Sequence, residues 1–272
     1  MNRRRRVEVE GGVHHVMNRG VNRQLIFFGD ADRVEFGRRL AALHDDFGVD
    51  TLAYCLMPNH YHLLVRVPSG ELSAAMQSLG CNYVRHTNDR VGRDGPLFRA
   101  RFHSIPVATD RYLVAVARYI HRNPLDLAGV DTPARYRWSS YRAYLGHRSP
   151  APFLDTSTLL SCFGHETEAL AAMTEGAAGS LDLGPIAETD VDQAVEFAFA
   201  IDDLTGTDEG GRSRVDRTLR LLLSDRGFPA LPDDDRSSGA IRAARYRARK
   251  RLVNDPALRR TLDHALGLLD AA

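Results

Sequence analysis

Apolar positions between residues 10 and 125 switch repeatedly from the two-residue spacing of a half-buried strand to the three-to-four-residue spacing of an amphipathic helix. Residues 12–19 read as a strand, followed by a loop over 20–30. Asp32 with Glu35 three positions on has the form of a capping box, and Phe36, Leu40, Leu43 and Phe47 then mark one helical stripe that Gly48 ends. Residues 49–57 and 61–67 are two strands joined through Met57-Pro58-Asn59, close enough to pair as an antiparallel hairpin. A second helix is predicted over 73–88, a fourth strand over 102–107, and a third helix that Asp110 caps and Pro124 ends. Strand, helix, strand, strand, helix, strand is the order of an α+β fold, a ferredoxin-like antiparallel sheet with helices on one face.

After the third helix the pattern changes. Residues 128–144 lack a period and read as a wrap anchored by Trp138 and Tyr141, and residues 150–190, rich in Ala, Gly, Ser and Thr, read as a linker. Helical spacing returns over 191–199, 215–223, 239–252 and 257–268. The division predicted is a main domain at 1–149, a linker at 150–190 and a small all-α C-terminal domain at 191–272.

With 43% hydrophobic and 26% charged residues, the composition is that of a folded globular chain rather than a disordered one. No run approaches a membrane span, and the arginines at positions 3–6 have no apolar segment behind them, so the expected place is the cytoplasm, at the nucleoid, with no membrane partner. Cys55, Cys81 and Cys162 match neither a zinc spacing nor a disulfide frame and are expected as buried small hydrophobes. A net charge of +1 conceals a division. Residues 1–150 carry 22 basic and 14 acidic side chains, residues 151–272 carry 14 and 21, and within the latter residues 241–272 carry 8 and 3. Two basic regions on either side of an acidic one offer two surfaces to phosphate.

Candidate chemistry gathers in two places. A strand sends residues i and i+2 to one face, so His60 and His62, inside Leu56-Met57-Pro58-Asn59-His60-Tyr61-His62-Leu63-Leu64-Val65, present both imidazoles together as half a metal site. On the third helix Tyr119 and Asn123 are four apart and share a face. Two neutral imidazoles and an amide oxygen leave coordination positions open for a phosphate, and a set without thiolates suits Mg²⁺ or Mn²⁺, although imidazole also accepts Zn²⁺. A phenol of ordinary pKa about 10 needs positive charge or a base to become a nucleophile, and no base is identifiable. Either element alone is more often an ordinary half-buried group; together, in a basic region, they point to phosphoryl transfer on nucleic acid. Arg19, Arg23, Arg99, Arg101 and Arg122 are the candidate phosphate contacts. His121, two positions from both Tyr119 and Asn123, faces away from them and reads as a surface residue. His14 or His15 is in a position to approach from the first strand, with a structural role the simpler reading.

These segments, with His14-His15-Val16-Met17-Asn18-Arg19-Gly20, Phe98-Arg99-Ala100-Arg101-Phe102, Arg118-Tyr119-Ile120-His121-Arg122-Asn123-Pro124 and Trp138-Ser139-Ser140-Tyr141, stand in an order that resembles the single-tyrosine His-hydrophobe-His (HUH) transposases, in particular the REP-associated tyrosine transposases. The resemblance covers roughly residues 10–146. It implies an HUH nuclease core, a divalent metal (Mg²⁺ or Mn²⁺) held by His60, His62 and Asn123, Tyr119 as nucleophile, and single-stranded or hairpin DNA as substrate. Ala100 departs from the family, many of whose members have glutamine there. The alternative is a domesticated, non-mobile descendant that binds structured nucleic acid as a regulator or host factor. An RNA-binding module would need stacking aromatics on an open sheet face.

Near the C-terminus, Gly239-Ala240-Ile241-Arg242-Ala243-Ala244-Arg245-Tyr246-Arg247-Ala248-Arg249-Lys250-Arg251 with Asp255-Pro256-Ala257-Leu258-Arg259 resembles the last two helices of the helix-turn-helix DNA-binding domain of the bacterial replication initiator. Arg242, Arg245, Arg249 and Lys250 would then face flanking duplex DNA. Residues 228–238, with Pro229, Pro232 and Asp233-Asp234-Asp235, depart from the helix that precedes them in that domain.

Overall fold

Four strands, β1 (Gly12–Arg19), β2 (Asp50–Met57), β3 (His60–Val67) and β4 (His103–Val107), pair into one antiparallel sheet in the order β2-β3-β1-β4. The computed structural model describes residues 10–176, 183, 185–202, 209–229 and 238–270. Helices α1 (Asp30–Phe47) and α2 (Leu72–Val91) cover one face, where Phe36, Leu40, Leu79 and Tyr83 share a core with Val16, Tyr61, Leu63 and Val65. This is the ferredoxin-like arrangement that the alternating pattern predicts. The alternate positions of β3 are His60, His62, Leu64 and Arg66, of which His62 and Leu64 are also buried, so the middle of the strand is covered on both faces.

α1 begins at Asp30, upstream of the expected cap. Asp32 stands at the third helical position, where its carboxylate accepts from the backbone N–H groups of Phe28 at 2.7 Å and Gly29 at 3.0 Å. A carboxylate there serves the same orphan donors as a cap. Arg90 of α2 grips Asp32 through Nε and Nη2, both at 2.8 Å, and so ties the two helices together.

β2 lies at the edge of the sheet and carries a bulge between Thr51 and Ala53. The irregular segments close this edge: Leu56 N–H donates to Trp138 O, Ser140 N–H to Tyr54 O and Thr51 N–H to Phe153 O, each at 2.9 Å. The expected linker is folded through residue 176. It holds α5 (Ser157–Ser161) and α6 (Thr167–Glu175), following α4 (Tyr141–Tyr144), and buries Leu159 and Leu170. Short helices and side-chain turns such as the Asp155 cap on Ser157 N–H, at 2.8 Å, give no sustained period to read.

The chain forms two compact units, one of residues 1–107 and 116–180, the other of residues 108–115 and 181–272. The division falls inside α3 (Asp110–Arg122), a boundary that no linear pattern announces. The second unit comprises that first part of α3 with α7 (Glu188–Asp202), α8 (Glu209–Ser224), α9 (Ser238–Asn254) and α10 (Pro256–Leu269). Within it, Thr109 Oγ1 donates to Asp190 Oδ1 at 2.7 Å, and the Tyr112 ring meets Phe197 edge-on at 6.5 Å. Residues 230–237, most of the proline-bearing segment, and the arginines at 3–6 lie outside the described residues. Among the described residues no helix is long and apolar enough to cross a membrane. All three cysteines are free, but only Cys55 is buried; Cys162 is half-buried and Cys81 lies exposed on α2, against expectation.

Candidate active site

The strand register carries the site. On the sheet face opposite α1 and α2, His62 lies between Met17 and Cys55, and His60 between Arg19 and Met57. Tyr119, near the end of α3, sets its ring perpendicular to that of His62, with centroids 5.3 Å apart. Asn123 opens the 3₁₀ turn Asn123–Asp126, and its Oδ1 lies 2.9 Å from His60 Nε2, across 63 positions of sequence. The four residues that the sequence singled out therefore meet.

Behind them stand two residues whose roles the sequence left undefined. His15 Nε2 is 3.0 Å from His62 Nδ1, with the rings stacked at 5.3 Å. Asn59 Oδ1 is 2.7 Å from His60 Nδ1. With Nδ1 engaged in each ring, Nε2 is the nitrogen left for a third group, the arrangement usual behind metal-binding imidazoles. A neutral His60 has one ring proton, yet Asn59 Oδ1 and Asn123 Oδ1 are both acceptors. Either the Asn123 amide turns its nitrogen inward or a cation satisfies the two facing lone pairs.

Electrostatics favour the ligand form. Burial lowers the pKa of His60 to about 4, against an opposing hydrogen bond to Asn123 Oδ1. His62 lies well below the ordinary value through burial and the neighbouring His60, His15 and Arg19. His15 is lowered to about 3, again by burial first and then by His103. Neutral imidazoles are what a metal requires. Burial raises the Tyr119 phenol, while the Asn123 hydrogen bond and the Arg19 charge act the other way. Among the described residues no group of three or more His, Cys, Asp or Glu could hold an ion. The histidine pair is completed only by an amide, a donor set that fits a divalent cation left with open positions rather than a closed structural zinc site.

Residues 9–123 match the family described as IS200-like transposases. Among solved structures the chain is similar to a REP-associated tyrosine transposase bound to a REP hairpin, at 16% identity over 58% of this chain and 94% of that one, with a TM-score of 0.47. No curated protein matches.

Around this site the candidate arginines separate. Arg19 is half-buried, beside Arg23, Arg99 and Tyr119. Arg23, Arg99 and Arg101 are exposed. Arg122 instead donates to the Thr174 carbonyl at 2.8 Å, at the end of α6. The loop bearing Arg23 is held tightly: a Cβ on Gly20 would collide with the Gln24 carbonyl, and Asn22 and Arg23 are left-handed at φ 50 and 59. Arg23 also borders a cleft of about 570 Å³ where Leu25 and Phe28 are exposed. In the second unit Arg245 donates to Ser224 Oγ and Arg249 Nε to Asp225 Oδ2, each at 2.6 Å, while Arg242 and Lys250 are exposed.

One histidine reading changes. His121 faces away from Tyr119 as expected but is buried rather than on the surface. Its Nε2 meets Ser140 Oγ at 3.0 Å between the rings of Tyr141 and Tyr144, because the wrap after α3 covers that side of the helix. His14 is buried on the α1–α2 face with Val16, away from the site. Asn59 was legible only as a turn residue, although it directly precedes His60.

Proposed function

We propose that the transposase domain is a metal-dependent endonuclease and strand transferase that nicks and rejoins single-stranded DNA at hairpins through Tyr119. The observation that carries this reading is the meeting of Tyr119, His60, His62 and Asn123 at one point of the sheet. The hairpin form of the substrate follows from the sequence resemblance to REP-associated tyrosine transposases.

The phenolic oxygen of Tyr119 attacks the scissile phosphorus, the bond from phosphorus to the 3′ oxygen breaks, and that oxygen leaves as a 3′ hydroxyl with a proton. One phosphate ester replaces another, so the 5′-phosphotyrosine retains the energy for rejoining without ATP. Arg19 stands near enough to Tyr119 for its charge to favour the phenolate. Asn123 touches both His60 and Tyr119 and so couples the ligand pair to the nucleophile. His15 and Asn59 hold the imidazoles in place. The neutral His62 ring beside Tyr119 has too little proton affinity to be an effective base, so ionisation of the phenol depends on surrounding positive charge. A divalent cation held by His60, His62 and Asn123 would supply that charge and polarise the phosphate. Arg23, Arg99 and Arg101, exposed on the same unit, contact backbone phosphates.

The decisive experiment incubates protein with an end-labelled hairpin and Mn²⁺, then runs a denaturing gel. A covalent adduct through the 5′ phosphate of the fragment downstream of the nick is expected; its persistence in Tyr119→Phe would refute the assignment. His60→Ala with His62→Ala is expected to lose both cleavage and the calorimetric heat of Mn²⁺ binding.

A further inference from the structure

The second unit contains a charged cleft for which the nicking chemistry has no use. α8 and α9 pack against each other, and between them opens a cleft of about 520 Å³ walled by Arg214, Arg217, Arg247 and Arg251. Ala244 and Ala248, small and buried one turn apart on α9, floor it. Arg214 and Arg217 are neighbours along α8, as are Arg247 and Arg251 along α9, so each helix sets like charges side by side, an arrangement unfavourable without a counter-ion.

Among the described residues no acidic side chain lines the cleft. Asp216 is engaged by Arg220 at 3.2 Å, on the neighbouring helical positions, and Asp255 reaches Arg251 alone, at 3.4 Å. Arg214, Arg217 and Arg247 are exposed and make no ion pair among the described residues. The contrast lies on α9 itself, where Arg245 and Arg249 are committed to Ser224 and Asp225. We propose that the α8–α9 cleft binds the phosphate backbone of duplex DNA. Planar guanidinium forks match phosphate oxygens two at a time. Among the described residues the lining includes no aromatic side chain, so they offer no stacking platform of the kind by which proteins hold single strands. The proposal is independent of Tyr119 and survives if the nicking reading fails.

The test compares two full-length variants of equal charge loss. Arg217→Gln with Arg247→Gln removes two of the four arginines of the cleft, one from each helix; Arg259→Gln with Arg260→Gln removes two exposed charges from α10, outside it. Binding of a hairpin-free duplex oligonucleotide, and of one of its strands alone, is followed by fluorescence anisotropy over a range of salt. The cleft variant should bind duplex about tenfold or more weakly, with a log affinity against log salt slope shallower by about 1.8, from about 0.9 per lost phosphate contact. The α10 variant should keep the parental slope, and single-strand binding should change less than duplex binding. Equal losses in both variants would reduce the effect to net charge, and no loss, or a larger loss on the single strand, would overturn the proposal. Thermal melts establish folding; if the double variant melts early, Arg247→Gln alone, at an exposed position, gives the same comparison with half the slope change.

Discussion

In the first unit the groups proposed to act are buried, uncharged and few, while in the second the groups proposed to bind are exposed, charged and repeated. His15 and His62 are almost inaccessible and held neutral, each located by a strand position and a ring partner. Arg214, Arg217 and Arg247 stand in solvent on helix surfaces. Chemistry on one phosphorus atom demands placement to a fraction of an ångström, which burial in a sheet provides. Attraction to a polymer of phosphates tolerates mobile side chains and gains from number. Single substitutions should therefore be severe in the first unit and graded in the second.

The largest effect belongs to Tyr119→Phe, which removes one oxygen and should lower adduct formation by more than ~10³-fold, with hairpin binding and the melting curve unchanged. Next comes His15→Ala. If His15 fixes the His62 ring, its loss should weaken Mn²⁺ binding about 10- to 100-fold, as for other partners behind metal ligands, and His15→Asn should recover part of it. Wild-type Mn²⁺ affinity in His15→Ala would show that the contact is only packing.

The third effect is on stability. His15 and His121 are each lowered from 6.5 to about 3, chiefly by burial. The folded protein keeps them neutral, whereas the unfolded chain takes up protons once the pH falls below 6.5. Their contribution is thus complete above 6.5 and is lost progressively towards 3, at most about 2 kcal/mol per ring at pH 5. Urea unfolding at pH 7 and pH 5 measures it, and His121→Gln should flatten the difference. Equal wild-type stability at the two pH values would mean that the rings are charged in the fold. The smallest effect is Arg101→Gln, which should reduce the salt slope for single strands by about 0.7 with little change in cleavage at low salt.

What the sequence disclosed follows the same contrast. The strands, the His60–His62 pair and the Tyr119–Asn123 pair were legible because period and spacing are local. The contact of His15 with His62 was not, since it depends on β1 lying beside β3 in one register. Nor was the arginine cleft: it exists only where α8 meets α9, and the linear reading favoured Arg245 and Arg249, which the fold spends on Ser224 and Asp225. Residues 108–115 group with the C-terminal helices because of side chains such as Tyr112, whose partner Phe197 is distant in sequence. Deleting residues 181–272 would strip those partners from the helix that bears Tyr119, so point substitutions separate the units more cleanly than truncation.

The bulge between Thr51 and Ala53 also bears on which changes of length a lineage of such proteins can survive. A codon gained or lost there meets a strand that already accommodates an unpaired residue, well before the histidines. The same event within β3 would exchange the two sides of the strand, carrying His60 and His62 into the oily layer beneath α1 and α2 and bringing Tyr61 and Leu63 up towards Tyr119. Descendants that have lost DNA cleavage by in-frame insertion should therefore carry their indels in β3 or the Pro58-Asn59 turn, while active ones vary in length around Thr51.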